Sequence, residues 1–579
     1  MAARSRGARW RKGKIAPPGK IAETMKRDRR NRVRAETRIC LPPRHSLCVL
    51  KSETAVQKLE VFDTTLRDGA QAEGISFSVC DKLAIVKALD DFGVRYIEAG
   101  NPGSNPKDME FFAAASELRL KNAKLTAFGS TRRKGISVED DSNVRSLLVA
   151  NTPCVTIFGK SWDLHVTEVL STTLDENLRA VRDTVRFFKD RGKELIFDAE
   201  HFFDGWRNNR KYALDVLSAA EAGGADALVL CDTNGGTPPF QVYEIVSEVC
   251  AAYPGMRIGI HCHNDMGCAV ANSMLAVKAG ATHIQGTFTG IGERCGNADL
   301  GTIIPNLQLK GGYACIDGGL EKLSETEIKI AEIANLTVPK SKPYIGESAF
   351  AHKGGMHIDG VDKISHSFEH VDPSLVGNKR RFLLSEVSGK RAVLLKIADI
   401  APELTKDSQE TARILDKLKE LEHAGYQFEA ADASFELLVK KIIGKFTPHF
   451  DLNMYKASSE SPAPDGEMSS NAMIKIKVDG NAETTAAVGN GPVNALDLAL
   501  RRALCVFYPE LVDVHLVDYK VRVLETGGAT GSRVRVLIES TDGQQKWTTV
   551  GVSTDIIEAS FIALVDSLEY RLCLSALEW

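Results

Sequence analysis

The chain is 579 residues long, 43% apolar and 26% charged, with a formal net charge of −3. Such a composition belongs to an ordinary globular protein of two to four domains, and no apolar run approaches the ~18–20 residues of a membrane span. Twelve cysteines with no Cys-x-x-Cys pair argue against a zinc ribbon or a disulfide framework, so free thiols and a cytoplasmic setting are expected. The charge is uneven, because residues 1–50 carry 15 Lys and Arg against 3 Asp and Glu. Lys26-Arg27-Asp28-Arg29-Arg30 has no apolar stripe and no secretory segment precedes it, so residues 1–55 are expected to form a disordered basic extension. Neither a membrane nor a nucleic-acid partner is expected.

From about residue 58, short apolar runs alternate with amphipathic stretches. Strands are predicted to begin at Val61, Tyr96, Leu125, Cys154, Leu195, Ala227, Ile258 and His283. Helices such as Asp81–Phe92, Leu174–Arg191, Ala213–Ala222 and Pro239–Ala252 lie between them, and Gly93 and Gly280 stand where a C-terminal cap belongs. This alternation predicts a (β/α)8 TIM barrel over 56–332 rather than an open sheet. Residues 333–444 read as a helical connector (Leu383–Ile400, Asp407–Ala424, Ala430–Ile443) with a Gly/His-rich segment at Ala351–Gly360. Residues 445–579 contain a duplicated βββα unit. His449–Ala457, Met473–Val478, Thr484–Val488 and a helix near Pro492–Val506 recur as Val514–Leu524, Val534–Glu539, Trp547–Val550 and a helix near Thr554–Tyr570. Val488-Gly489 and Val550-Gly551 hold matching places, while the hairpin loops Ser458–Ser470 and Gly527–Gly531 differ in length. A module of this kind, with no evident chemistry of its own, suggests ligand sensing or dimerisation.

A barrel keeps its chemistry at the C-terminal ends of its strands. The unusual polar residues fall there: Arg67-Asp68, Glu98, Asp198 and Glu200, Asp232-Thr233-Asn234, His261 and His263, Glu293 and Asn297. Strand alternation puts Ile258, Ile260 and Cys262 on one buried face and Gly259, His261 and His263 on the other. Two imidazoles one pleat apart can take one divalent ion, although a hydrogen-bonded pair at a strand end has the same spacing. Closure brings the first strand near the seventh, so Asp68 can supply a third ligand. Arg67, always cationic, suits an oxygen that gains negative charge, an Arg-Asp ion pair being the plainer alternative.

Leu66-Arg67-Asp68-Gly69-x-Gln71, with Lys82 beyond it, resembles the first motif of the isopropylmalate/homocitrate/citramalate synthase family. Ile258-x-x-His261-x-His263-Asn264-Asp265-x-Gly267-x-Ala269-x-Ala271 resembles the second. The likeness runs over residues 57–579. Asp198-Ala199-Glu200-His201-Phe202-Phe203, Phe350-Ala351-His352-Lys353-Gly354-Gly355 and Glu369-His370-Val371-Asp372-Pro373 are most similar to the citramalate synthase branch. The resemblance implies an acyltransferase that condenses acetyl-CoA with a small 2-oxo acid and hydrolyses the thioester, with pyruvate as acceptor in isoleucine biosynthesis. It implies one divalent metal ion (zinc, manganese or magnesium) on Asp68, His261 and His263, with Asn297 as a further ligand. Arg67, Gln71 and Thr233 would contact the acceptor, and Arg67 would also steady the alkoxide. The base needed for a very weakly acidic methyl group lies among Glu200, His357 and Asp359, which the residues do not rank. The C-terminal repeat is similar to that family's allosteric domain, implying a branched-chain amino-acid effector (isoleucine or leucine) and a homodimer.

One departure stands out. Where many relatives have Tyr, Ser367-Phe368-Glu369-His370 carries Phe368, which can neither donate a proton nor orient a water. Three rival expectations remain: a 2-isopropylmalate synthase taking 2-oxoisovalerate, a metal-dependent lyase on the same barrel, and a non-catalytic amino-acid sensor. The C-terminal repeat opposes the lyase, and Phe368 alone favours the sensor.

Overall fold

All eight predicted strands form and pair in parallel around a closed ring. They are β1 (Glu60–Asp63), β2 (Tyr96–Glu98), β3 (Lys124–Ser130), β4 (Cys154–Lys160), β5 (Glu194–Glu200), β6 (Ala227–Asp232), β7 (Arg257–Cys262) and β8 (His283–Gly286). Strand β8 closes on β1 with Phe62 opposite Gln285. The computed structural model describes residues 56–316, 319–383, 390–398, 400–460, 470–524 and 531–575. The expected basic extension lies outside them, as does most of each C-terminal hairpin loop.

Alternate side chains of the strands enter two different cores. Phe62, Tyr96, Cys154, Ile196, Ala227, Val229 and Cys231 fill the barrel. Val61, Ile97, Val155, Leu195, Leu228 and Ile258 point outward and pack under the helices. Both faces of β7 are therefore buried, and the face that carries His261 is the barrel interior.

The barrel helices are α1 (Val79–Phe92), α2 (Pro106–Ala115), α3 (Ser142–Val149), α4 (Leu174–Lys189), α5 (Phe202–Gly223), α6 (Pro239–Ala252), α7 (Ala269–Ala279), α8 (Leu300–Pro305) and α9 (Leu323–Ile333). Helix α1 opens with a capping box between Ser78 and Asp81 and closes at a left-handed Gly93. Helix α5 begins at Phe202, well before the predicted Ala213. Its first turn follows directly on β5 because His201 adopts a left-handed conformation (φ 57°) and no side chain caps the start, so the usual signal is missing.

In the connector, β9 (Ala351–His352) pairs with β10 (Arg381–Phe382), and α10 (Gly355–Lys363) turns the Gly/His-rich segment into a helix. Leu383, just past β10, is not helical. The helix predicted from it is found as α11 (Lys390–Lys396), followed by α12 (Gln409–His423) and α13 (Asp432–Ile442). Ile358, Val393, Ile414, Phe428 and Phe435 form one core here, together with Val550 of the C-terminal domain.

That domain is a true duplication. Strands β11 (Asp451–Ser459), β12 (Ser470–Val478) and β13 (Asn481–Gly489) carry α14 (Pro492–Leu504). Strands β14 (His515–Val523), β15 (Val534–Thr541) and β16 (Lys546–Ser553) carry α15 (Ile556–Ser575). The first strand of each sheet slips register, between Leu452 and Met454 in one and between Leu516 and Asp518 in the other. Gly489 and Gly551 lie under their helices, where an added Cβ would meet Ala495 N at 2.6 Å and Ala559 O at 2.0 Å. No helix among the described residues is long and apolar enough to cross a membrane.

At the N-terminal end of the barrel Arg257 donates to Glu60 (2.8 Å), the Tyr96 hydroxyl (3.0 Å) and Glu194 (2.9 Å), and Lys124 donates to Glu194 (2.6 Å). Burial raises the Glu194 pKa, but the hydrogen bonds from Lys124, Arg257 and Tyr96 outweigh it and bring it to about 2. A folded-state pKa below the unfolded value stabilises above about pH 4.3, and the gain is lost as pH falls toward 2. Glu194→Gln is expected to cost about 2–3 kcal/mol at pH 7. In thermal melts the parent and variant midpoints should converge between about pH 4.5 and 2.

Candidate metal centre and active site

Asp68 sits in a tight turn after β1. The backbone N–H groups of Arg67 and Gly69 both donate to Thr64 O (3.1 and 3.0 Å), and Phe288 N reaches across the barrel seam to Thr65 Oγ1 (3.0 Å). His261 is the next-to-last residue of β7, and His263, just past its end, forms a single bridge to Asn297. The loop before Asn297 needs its glycines: a Cβ on Gly296 (φ 87°) would lie 2.1 Å from Gly290 O, and one on Gly292 would lie 2.1 Å from Asn297 Nδ2.

These segments bring three donor atoms within 4.8 Å of one another. Asp68 Oδ2 is 3.5 Å from His261 Nε2 and 3.9 Å from His263 Nε2, while Asn297 Nδ2 donates to Asp68 Oδ1 (3.1 Å). Burial works to raise the Asp68 pKa, yet the Arg67 guanidinium, helped by the hydrogen bond from Asn297, holds its carboxyl well below the usual carboxylate range. Burial lowers His261 to about 3 and also lowers His263. At neutral pH the set is therefore one carboxylate and two neutral imidazoles, the protonation states that ligate a metal. His263 Nδ1 and Asn297 Oδ1 are buried without a hydrogen-bond partner among the described residues. This donor set fits a divalent ion.

Beside it, Arg67 is held on three sides. Its Nε donates to Glu98 (2.5 Å), its Nη1 to Asp68 (3.1 Å), and its guanidinium lies 3.8 Å from the centre of the Phe128 ring. Glu98 also accepts from Thr64 Oγ1 (2.6 Å). Across the rim, Glu200 pairs with Lys160 on the neighbouring strand (2.6 Å). Thr233 Oγ1 accepts from His201 N (2.9 Å), so its hydroxyl anchors the β5 turn rather than its own. A cavity of about 230 Å³ is lined by Arg67, Asp68, Gln71, Asp198, Glu200, Thr233, His261 and His263, with Phe128, Phe158, Cys231 and Glu293 completing the wall.

The structure thus gathers nine of the sequence-derived residues around one cavity (Arg67, Asp68, Gln71, Asp198, Glu200, Thr233, His261, His263 and Glu293), with Asn297 against Asp68. His357 and Asp359 are not among them. Both lie on α10, where His357 is exposed and stacks on Phe368 (4.6 Å), and Asp359 pairs with Lys363 (2.5 Å). Phe368 packs so closely on Gly360 that a Cβ there would be 2.3 Å from its ring. Sequence reasoning missed Phe128, Phe158, Lys160 and Gln285. Gln285 left one signal, a polar residue at an inward position of a buried strand.

A closed barrel that collects a carboxylate, two neutral imidazoles and a fixed guanidinium at one rim defines a metal-dependent barrel enzyme. Family models agree: HMGL-like matches residues 58–337, homocitrate synthase post-HMGL domain-like matches 344–425, and LeuA allosteric (dimerisation) domain matches 429–572. The (R)-citramalate synthase of Aquifex aeolicus is 53% identical over 517 residues, covering 89% of this chain and 98% of its own. That of Geobacter sulfurreducens is 49% identical over 515 residues, covering 89% and 97%. Among solved structures, the HMG-CoA lyase of Bacillus subtilis aligns with 49% of this chain and 96% of its own, at 21% identity and a TM-score of 0.43. The chain belongs to the citramalate synthase branch of the isopropylmalate/homocitrate synthase family.

Protein purified with divalent metal is expected to retain about one ion per chain, and Asp68→Ala or His261→Ala to lose it, as read by elemental analysis. Full retention in both variants would remove this cluster as the metal centre.

Proposed function

We propose that the protein condenses acetyl-CoA with pyruvate in the cytoplasm and hydrolyses the thioester, releasing (R)-citramalate and CoA for isoleucine biosynthesis. The observation that carries this reading is near-full-length likeness to (R)-citramalate synthases combined with a cavity whose lining suits that chemistry. Asp68, His261 and His263, with Asn297 beside them, would hold a zinc, manganese or magnesium ion, which when bound supplies a Lewis acid for the keto group of the acceptor.

The remaining work falls to side chains. Arg67, immobilised by Glu98, Asp68 and Phe128, offers a fixed positive charge where the alkoxide develops, with no reorganisation during reaction. Thr233 and Gln71, both on the cavity wall, contact the acceptor carboxylate. Five carboxyl groups surround this space, of which Glu293 is exposed and paired with Arg294 (3.6 Å). Asp68 belongs to the metal set, Glu98 is committed to Arg67 and Thr64, and Asp198 is pushed well above the usual range by burial and by Glu98. Glu200, paired with Lys160 but on the cavity wall, is the base for the acetyl methyl group.

His357 and Asp359 can serve a cavity only if α10 of another copy brings them there. The match to a dimerisation domain supports a homodimer, in which α10 completes the partner's site. The duplicated C-terminal domain would bind the branched-chain amino-acid effector.

Acceptor size is limited by the stacked Phe128–Phe158 pair (centroids 5.0 Å apart, 15° between planes). The methyl of pyruvate fits beside it, and each further methylene shifts discrimination by only ~1–3 kcal/mol. The cavity lining holds one Arg and no Lys, which argues against a dicarboxylate such as 2-oxoglutarate.

Thiol release from acetyl-CoA with Mn²⁺ or Zn²⁺ tests the reading. Pyruvate is expected to outperform 2-oxobutyrate, 2-oxoisovalerate and 2-oxoglutarate, with His261→Ala inactive. A preference for 2-oxoisovalerate would move the chain to leucine synthesis, and no release from metal-loaded protein would sink the synthase reading. Glu200→Gln is expected to lower kcat by about 10²–10⁴-fold at nearly unchanged pyruvate KM. An equal loss from Asp359→Asn with Glu200→Gln active would reassign the base.

A further inference from the structure

Gln285 is a fully buried amide in a strand that otherwise has no need of one. The barrel interior is otherwise rich in apolar side chains such as Phe62, Tyr96, Ile196 and Val229, and the direct neighbour of Gln285 across the β1–β8 seam is Phe62. Burying an amide without partners costs roughly 1–3 kcal/mol, so a leucine or methionine would suit the packing better unless the polar ends are used. Both are used. Gln285 Nε2 donates to Asp198 Oδ1 at 2.9 Å, and Gln285 Oε1 lies 3.0 Å from His261 Nδ1.

The two contacts depend on each other. Asp198 Oδ1 accepts, which turns the NH2 end of the amide toward β5 and its carbonyl toward β7. A carbonyl can only accept, so His261 must carry its proton on Nδ1. The lone pair is then on Nε2, the nitrogen that faces Asp68 Oδ2 at 3.5 Å. Asp198 on β5, Gln285 on β8 and His261 on β7 thus form one polar chain across the barrel, all three members buried. His263 has no such support among the described residues, where its Nδ1 is without a hydrogen-bond partner.

We propose that Gln285, oriented by Asp198, is a positioning residue that fixes the tautomer and ring angle of His261 for the metal. This rests on the reading that Asp68, His261 and His263 hold the ion. Partners of ligating histidines typically contribute 10–100-fold to metal affinity, and here an amide fills the place more often taken by a carboxylate or a backbone carbonyl.

The test is the zinc affinity of the full chain, measured by competition with a chromophoric chelator at neutral pH. Gln285→Met, of similar length but without the acceptor, is expected to weaken zinc binding about 10–100-fold. Gln285→Glu, which restores an acceptor for Nδ1–H, is expected to stay within a few-fold of the parent. A packing role alone would make the apolar variant the more tolerated one, so the opposite ranking discriminates. If the Met variant does not fold, Gln285→Asn carries the comparison, because it keeps the amide but is one methylene too short to span His261 and Asp198. Parent-like zinc affinity in Gln285→Met, or in Gln285→Asn where Met fails, overturns the proposal. A parent chain that binds no zinc instead overturns the metal-centre reading on which it rests.

Discussion

A buried anion organises the rim. Left alone among apolar walls, the Asp68 carboxyl would take up a proton, since desolvating an unpaired charge costs several kcal/mol. It stays ionised because the Arg67 guanidinium lies against it and the Asn297 amide donates to it. Arg67 in turn is a buried cation that Glu98 neutralises, and Glu98 is itself anchored by Thr64 from the turn that carries Arg67 and Asp68. The charges are interlocked, so no member can be removed without leaving another unpaired. The site is stiff as a result.

Much of this was legible in the sequence. The eight strand starts follow from apolar runs of the right length, and the helix ends at Gly93 and Gly280 follow from the glycine rule. Strand spacing puts His261 and His263 on one face but leaves a hydrogen-bonded pair open, and Asp68 with the motif around it points to a metal. What was hidden has a common cause. The start of α5 depends on a left-handed His201, a conformation with no reliable residue signature. Helix α11 could not be separated from Leu383 because β10 is only two residues long and pairs with a distant β9. Gln285 gains meaning only through the barrel closure that sets β8 beside β7 and within hydrogen-bond reach of Asp198 on β5, which no local pattern encodes. His357 and Asp359 were named through a family resemblance, and the fold places them on the surface of α10, away from the cavity of their own chain.

The C-terminal duplication shows how a repeated sequence becomes a repeated physical constraint. Gly489 and Gly551 are both places where a helix crosses too close to its sheet for any side chain, and both first strands carry the same slip in register. The two copies differ in what covers their outer faces. Val550 and its neighbours on the second sheet join the connector core with Ile358 of α10. Protein interiors have little free volume, so the second sheet cannot move against α10 without repacking the element that bears His357 and Asp359.

The contacts that complete the metal centre are also among the longest in the chain. Asn297 reaches Asp68 across 229 residues, and Phe288 reaches Thr65 across 223. Contacts of such separation form after local ones, because a long loop must first be closed. During synthesis from the ribosome, a nascent chain therefore displays Asp68 long before either histidine or Asn297 exists to join it. The proposed four-residue cluster arises only when the last strand seals the ring, so a partly made or partly unfolded barrel would lack the full set of metal ligands.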